Sequence, residues 1–178
     1  SLEGLPSSAH ARELGDLIFS HLTPSSFSFL NVGAESGASQ SHLHAHLVDP
    51  HLPLREYLPS ESCNVCLDLA AGFPVLHSAS SSLYVPSASP SLLELRVVST
   101  RHDAAPSGDL LALLFEFLTA ATEHGFSWPY TVLPHRYPHP HLRVLLRWDK
   151  GLAYQESLGL AVVPVDLAEL ADRFASWF

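Results

Sequence analysis

The chain of 178 residues has no methionine, two cysteines and nine lysines and arginines together, against eighteen aspartates and glutamates. The net charge of −9 argues against a nucleic-acid partner, because phosphate backbones are bound by clustered basic side chains. No apolar run approaches the roughly 20 residues of a membrane-spanning helix, and the first residues lack the basic and apolar regions of a signal peptide. We therefore expect an intracellular protein, of the cytoplasm or an organelle matrix, with no membrane span.

The missing methionine includes the initiator, so we expect a processed product or a fragment of a longer protein. Two cysteines, in the spacing Cys63-Asn-Val-Cys66, cannot form the disulfide framework of a secreted scaffold. The pair indicates a metal-binding knuckle or a redox pair in a reducing compartment. With 47% hydrophobic residues the chain can bury a core, and its length suits one domain or two small halves.

The most informative stretch is 31–48, which has two parts. The first part is small, polar and glycine-bearing, and such a loop offers an anion backbone N–H groups and hydroxyls. The second part alternates three histidines with apolar residues, which predicts a strand with the histidines on one face. Together the two parts predict a phosphate site with a histidine nucleophile or a metal. The alternating residues are His42, Leu43, His44, Ala45, His46 and Leu47.

Hydrophobic periodicity and turn residues divide the rest of the chain into short elements. Helices are predicted over 8–22, 109–124 and 166–178. A loop is predicted over 78–82, and strands over 27–32, 42–48, 83–87, 92–100, 129–133, 139–147 and 152–163. A Pro-rich segment after the histidines places a boundary between 1–50 and 51–178. Each part contains a helix, a strand and a strand with alternating histidines, which indicates an internal repeat.

The segment His42-Leu-His44-Ala-His46-Leu-Val48 resembles the motif of the histidine-triad (HIT) superfamily. The preceding Asn31-x-Gly33-x-x-x-Gly37-Ala-Ser39-Gln40 is similar to the branch that contains galactose-1-phosphate uridylyltransferase and the dinucleoside polyphosphate phosphorylases. The resemblance implies an α+β, HIT-like fold in which an antiparallel sheet is flanked by helices. It implies a partial first half over 1–50, with the phosphate loop and histidine triad, and a second HIT-like half over 51–178.

The resemblance also implies a reaction, namely nucleotidyl transfer from a nucleotide or nucleotide-sugar through a nucleotidyl-histidine intermediate. His44 corresponds to the nucleophile that attacks the α-phosphorus, and His42 and His46 complete the catalytic triad. Histidine at the third position is usual in the hydrolases of the superfamily, whereas glutamine is usual in its transferases and phosphorylases. The acceptor (water, phosphate or a sugar phosphate) therefore stays open. The residues implied to bind the substrate are Asn31, Gly37, Ser39 and Gln40.

Two thiolates and two imidazoles form a tetrahedral zinc site. The resemblance implies zinc on Cys63, Cys66, His102 and His139. His77, His135 and His141 are alternative histidine ligands, and the competing interpretation is a pair of unliganded or redox-active thiols.

A non-catalytic role competes with the enzyme hypothesis. The early strands of the first half are not visible in the sequence, and lysine and arginine are few for a phosphate-binding enzyme. The rival is a HIT-fold subunit of a larger, possibly organellar assembly, and a third hypothesis is a nucleotide sensor without turnover. Members of the superfamily usually complete their sites across a dimer, so the resemblance implies a homodimer or a larger complex.

Overall fold

The structure, a computed structural model, describes residues 6–23, 26–33, 43–48, 72–87, 93–100, 108–126, 128–136, 139–146 and 167–178. Its helices are α1 (Ser8–His21), α2 (Gly108–Glu123) and α3 (Leu167–Ala175). Its strands are β1 (Phe27–Val32), β2 (Ala45–Val48), β3 (Gly72–His77), β4 (Ser81–Pro86), β5 (Leu93–Ser99), β6 (Tyr130–His135) and β7 (His141–Leu146).

The seven strands form one sheet in the order β2-β1-β6-β7-β5-β4-β3. Every neighbouring pair is antiparallel. The α+β class predicted from the sequence, an antiparallel sheet with flanking helices, is therefore confirmed. None of the described helices is both long and apolar enough to cross a membrane.

The two parts of the chain meet where β1 lies beside β6, in the middle of the strand order β2-β1-β6-β7. β1 pairs antiparallel with β6, with Leu30 opposite Val132 and Asn31 opposite Thr131. On either side of this contact lies a unit of one helix and two strands: α1, β1 and β2, and α2, β6 and β7. This arrangement agrees with the internal repeat. The boundary between 1–50 and 51–178 falls outside the described residues and stays a prediction.

Alternation along the strands separates an apolar face from a polar one. On β6, Tyr130 and Val132 are fully buried. They belong to the same core cluster as the apolar residues of the helices, such as Phe117 of α2 and Phe174 of α3. The rings of Phe117 and Phe174 are 5.1 Å apart, so α3 packs beside α2. The opposite face of the sheet therefore holds the remaining, mostly polar strand residues.

Two glycines bring α1 and α2 into close contact. A Cβ at Gly15 would lie 2.8 Å from the Cα of Gly108, and a Cβ at Gly108 would collide with the carbonyl oxygen of Arg12. Both helices therefore require a residue without a side chain at the crossing. Asp16 adds a cap, because its carboxylate accepts a hydrogen bond of 2.6 Å from the N–H of Gly108 at the start of α2.

The C-terminal end of α1 is capped from the second part of the chain. Arg136, just after β6, donates from Nη1 to the carbonyl oxygens of Phe19 and Leu22 at 2.9 and 3.1 Å. These carbonyls have no partner within the last turn of a helix, and a cation there is also favoured by the helix dipole. The α1 helix is thus held in its middle, at Asp16, and at its C-terminal end by residues that lie at least 92 positions further along the chain.

Two predicted features differ from the structure. The strand β3 was not predicted, because Pro74 argues against a strand. The structure accommodates Pro74 on the last described strand of the sheet, beside a bulge between Pro74 and Leu76. The predicted loop over 78–82 is wrong at its end, since Ser81 and Ser82 are buried residues of β4. The predicted strand over 152–163 lies outside the described residues.

The helix crossing predicts the effect of Gly15→Ala. In a free helix alanine is favoured over glycine by roughly 1 kcal/mol. At this crossing the methyl group meets the backbone of Gly108, and overpacking costs about 1–3 kcal/mol. Urea unfolding should therefore show a variant less stable than the wild type. Glu13→Ala, at an exposed position of α1, is the control and should change stability by no more than about 0.5 kcal/mol. A stabilised Gly15→Ala variant would contradict the packing described here.

Candidate functional site

The polar face of the sheet brings together histidines, arginines and an amide from both parts of the chain. Register places these side chains on one side, because cross-strand partners point to the same face. His46 and Asn31 come from the first part, and all the others come from the second. Those of the second part are Thr131, His135, His141, Arg143, Glu94, Arg96, Ser82 and Tyr84.

His46 is the second residue of β2, the last described strand on one side of the sheet, and His44 immediately precedes that strand. Their ring centroids are 4.7 Å apart in an edge-to-face arrangement. His46 also stacks on Phe29, its partner on β1, at 4.5 Å and an interplanar angle of 10°. His44 is half-buried, His46 is exposed, and Leu43 packs against the core. Two of the three predicted catalytic histidines are thus in contact with each other, while His42 lies outside the described residues.

The expected apolar side of this strand is only partly covered. Ser28 is opposite Leu47 and Leu30 is opposite Ala45, so the two β2 residues share the core face of β1. Leu47 is nevertheless 52% exposed, whereas Leu30 is fully buried. The alternation predicted from the sequence therefore describes the two faces correctly, but the core does not extend over Leu47.

Asn31 occupies the end of β1, next to the histidines. The β1–β2 ladder ends at the pair of Leu30 and Ala45, so Asn31 and His44, which come next along the chain at this end, lie near each other. Thr131 on β6 donates a hydrogen bond of 2.9 Å from Oγ1 to Oδ1 of Asn31. One of the four predicted substrate-binding residues is thus beside the predicted nucleophile.

Gly33 begins the predicted phosphate loop and has a backbone that favours glycine. Its φ is +90°, and a Cβ there would lie 2.9 Å from the Cβ of Pro129. The chain therefore turns away from β1 in a conformation that a residue with a side chain adopts at a cost. The loop residues Gly37, Ser39 and Gln40 lie outside the described residues.

A second histidine pair lies on the same face. His135 and His141 are register partners on β6 and β7, and their ring centroids are 4.6 Å apart. His141 is fully buried, and its Nδ1 lies 2.8 Å from the carbonyl oxygen of His139. A carbonyl accepts only from N–H, so Nδ1 carries the proton and the Nε2 of a neutral ring has the lone pair.

His139 is the one predicted zinc ligand that the structure describes. It is half-buried and comes just before β7. Cys63, Cys66 and His102 lie outside the described residues, so the predicted ligand set stays a prediction. Within the described part of the chain, no group of three or more histidine, cysteine, aspartate or glutamate side chains could hold a metal ion.

A buried ion cluster follows further along the face. Glu94 on β5 is bound bidentately by Arg143 of β7, at 2.9 and 3.0 Å, and by Nε of Arg96 at 2.9 Å. The carboxylate is fully buried, and the Arg96 side chain is 8% exposed. Burial raises the pKa of Glu94, but the hydrogen bonds and charges of Arg143 and Arg96 outweigh burial, and the pKa is lowered.

Sequence reasoning missed three contributors to this face: Phe29, Thr131 and the Glu94 cluster. The alternation of Glu94 and Arg96 with Leu93, Leu95 and Val97 was a usable signal, because charges in an otherwise apolar strand share one face. Phe29 and Thr131 carry no such signal, since their roles depend on which strands become neighbours.

The sequence of this chain matches no family model and no curated protein. Solved structures do match. A uridylyltransferase mutant aligns with a TM-score of 0.69 at 15% identity, covering 99% of this chain and 74% of that chain. A GalT-like protein from Arabidopsis thaliana aligns with a TM-score of 0.62 at 18% identity, covering 94% of this chain and 66% of that chain.

An ADP-glucose phosphorylase from Arabidopsis thaliana with bound ADP-glucose aligns with a TM-score of 0.62 at 17% identity, covering 94% of this chain and 64% of that chain. The present chain thus spans just under two thirds of the length of the two Arabidopsis proteins. At identities this low, the structural alignments show a shared fold. The HIT-like fold that the sequence motif implied is therefore confirmed.

The ion cluster predicts an acid-sensitive stability. Glu94→Gln should lower the free energy of unfolding at pH 7 by about 3 kcal/mol, because two arginines lose their buried counter-charge. The folded-state pKa is lowered, so the contribution is complete above the unfolded value of about 4.3 and is lost as pH falls through the folded value. In urea unfolding the difference between wild type and variant should be constant from about pH 7 to 5 and shrink below about pH 4.

The matched control is Glu123→Gln, at an exposed position at the end of α2. It should change stability by less than about 0.5 kcal/mol at each pH. A Glu94→Gln variant as stable as this control at neutral pH would contradict the buried cluster.

Proposed function

We propose that the chain acts on a nucleotide or nucleotide-sugar as a nucleotidyl transferase, phosphorylase or hydrolase, with His44 as the nucleophile. The observation that carries the proposal is the position of His44, beside Asn31 and His46 on the polar face of the sheet. The fold supports it, because a uridylyltransferase and an ADP-glucose phosphorylase share it. The compartment, expected to be intracellular, and a dimeric or larger assembly remain predictions.

The proposed reaction has two steps: His44 forms a bond to phosphorus in the first, and that bond breaks in the second. A neutral ring nitrogen attacks the α-phosphorus, and the bond from phosphorus to the leaving phosphate oxygen breaks. The product is a nucleotidyl-histidine and a free phosphate-bearing fragment, such as a sugar phosphate. An acceptor oxygen then attacks phosphorus, and the phosphorus–nitrogen bond breaks. The amide of Asn31, and N–H groups of the loop that starts at Gly33, are proposed to stabilise the charge on the non-bridging oxygens.

His46 is proposed to support His44 from the side. Its ring is held by the stack on Phe29 and contacts the edge of His44. A fixed neighbour limits the rotation of the attacking ring, which favours the in-line geometry of the first step. An imidazole at this position also suits proton transfer from water in the second step, which makes hydrolysis one of the outcomes to be measured.

The second candidate function is that of a non-catalytic subunit of a larger assembly, and the exposure of Leu47 favours it. An apolar side chain that is 52% exposed, on the last described strand of a sheet, is typical of an edge that another chain covers. This candidate predicts no covalent chemistry on His44, so one experiment separates the two.

A covalent trap tests the enzyme hypothesis. ADP-glucose and UDP-glucose, each labelled in the α-phosphate, are incubated with the protein and quenched in base, which preserves a phosphorus–nitrogen bond. We expect label on His44 by peptide mapping and no label on a His44→Ala variant. His10→Ala, an exposed histidine of α1, is the control and should be labelled like the wild type. A wild type that takes up no label and shows no nucleotide-induced rise in melting temperature would support the assembly subunit.

We also propose a zinc ion on Cys63 and Cys66. The donor set fits, since two thiolates and two imidazoles are the ligands of tetrahedral structural zinc. Such a site would stabilise the fold without entering the reaction. His102 and His139 are the proposed imidazole ligands, with His141 as the alternative that the geometry favours. Its Nδ1–H donates to a main-chain carbonyl, which is the usual support of a zinc-bound histidine.

Metal analysis tests the zinc site and tells whether His139 or His141 is a ligand. We expect about one zinc per chain in the wild type and loss of most of it in Cys63→Ser. His139→Ala and His141→Ala are compared as a pair, because only the true ligand should lower the zinc affinity. His10→Ala again serves as the control. Full zinc retention in Cys63→Ser would contradict the proposed ligand set.

A further inference from the structure

We infer that Thr131 is a positioning residue, which fixes the side-chain amide of Asn31 so that its nitrogen faces the phosphate bound at His44. The inference rests on the proposed function. It adds a residue from the second part of the chain to a site whose histidines come from the first.

The contact is a partly buried side-chain hydrogen bond between two strands. Thr131 is 7% exposed, and its Oγ1 donates to Asn31 Oδ1 at 2.9 Å. The two residues are direct partners in the β1–β6 ladder, so the strand pairing itself sets their separation. On its other side Thr131 is paired with Leu145, which has no side-chain group that can form a hydrogen bond. The hydroxyl is therefore directed toward β1.

A hydrogen bond to one end of an amide determines the position of the other end. The terminal torsion of asparagine is broad and nearly two-fold, so an unsupported amide exposes either oxygen or nitrogen to its surroundings. With Oδ1 held toward β6, the planar group turns Nδ2 away from Thr131. β2 lies on that side, and His44 immediately precedes its first residue, near Asn31 at the end of the ladder.

The chemistry requires this orientation. Nδ2 has two N–H donors, which suit a phosphate oxygen, whereas Oδ1 would repel it. Without the hydroxyl, the amide would reverse for part of the time. The fraction of chains ready to react would fall, and the reversed amide would oppose charge that develops on the phosphate oxygens.

The test is a double-mutant cycle on the rate of label transfer to His44. Thr131→Val keeps the shape of the side chain and removes the donor, and it should slow labelling about tenfold. Thr131→Ser restores the hydroxyl and should label within about twofold of the wild type. Asn31→Ala should also slow labelling. Because Thr131 acts through the amide, Thr131→Val should cause no further loss in the Asn31→Ala background. Thr119→Val removes another threonine hydroxyl bond, within α2, and should label like the wild type.

The outcomes separate this inference from the proposed function. Equal labelling of the wild type and Thr131→Val would overturn the positioning role and leave the proposed function intact. Additive losses in the double variant, or a serine variant as slow as the valine variant, would show a general structural effect and would also overturn it. A wild type that forms no adduct would overturn the proposed function together with this inference. Melting temperatures of all variants check that the measured proteins are folded.

Discussion

The antiparallel pairing of β1 with β6 is the contact on which the rest of this molecule depends. It joins two helix-strand-strand units into one sheet and continues the core across them, with Leu30 opposite Val132. The helices support the same join, because the glycine crossing and the Asp16 cap hold α1 on α2, and Arg136 holds α1 beside the end of β6. A small shift in this register would separate Asn31 from Thr131 and move the histidines to another place on the sheet.

The two units contribute different chemistry to the polar face. The first supplies the histidines proposed to take part in the reaction, the half-buried His44 and the exposed His46. The second supplies fixed polar groups: the buried hydroxyl of Thr131 and the arginines around Glu94. Arg96, which is buried, and Arg143, which is partly exposed, share the fully buried carboxylate of Glu94.

Sequence reasoning succeeded where local pattern determines structure. The helices and β1 were predicted within a few residues, because their apolar spacing and caps are local. The histidine alternation identified β2, although this strand begins at Ala45, after His44. Sequence reasoning failed where the outcome depends on neighbours that are distant in sequence. β3 was missed because Pro74 is tolerated only at a particular place in the sheet. The contacts of Thr131 with Asn31 and of Glu94 with Arg143 arise from residues 100 and 49 positions apart, which no local pattern reports.

The most direct measurement of the central claim is a crystal structure of the His44→Ala variant with ADP-glucose or UDP-glucose bound. If His44 is the nucleophile, we expect an α-phosphate at the end of the β1–β2 ladder, above the missing imidazole. We also expect Nδ2 of Asn31 about 3 Å from a non-bridging oxygen, with Thr131 still hydrogen-bonded to Oδ1. A nucleotide bound elsewhere on the sheet, or an α-phosphate that Asn31 does not contact, would contradict the central claim.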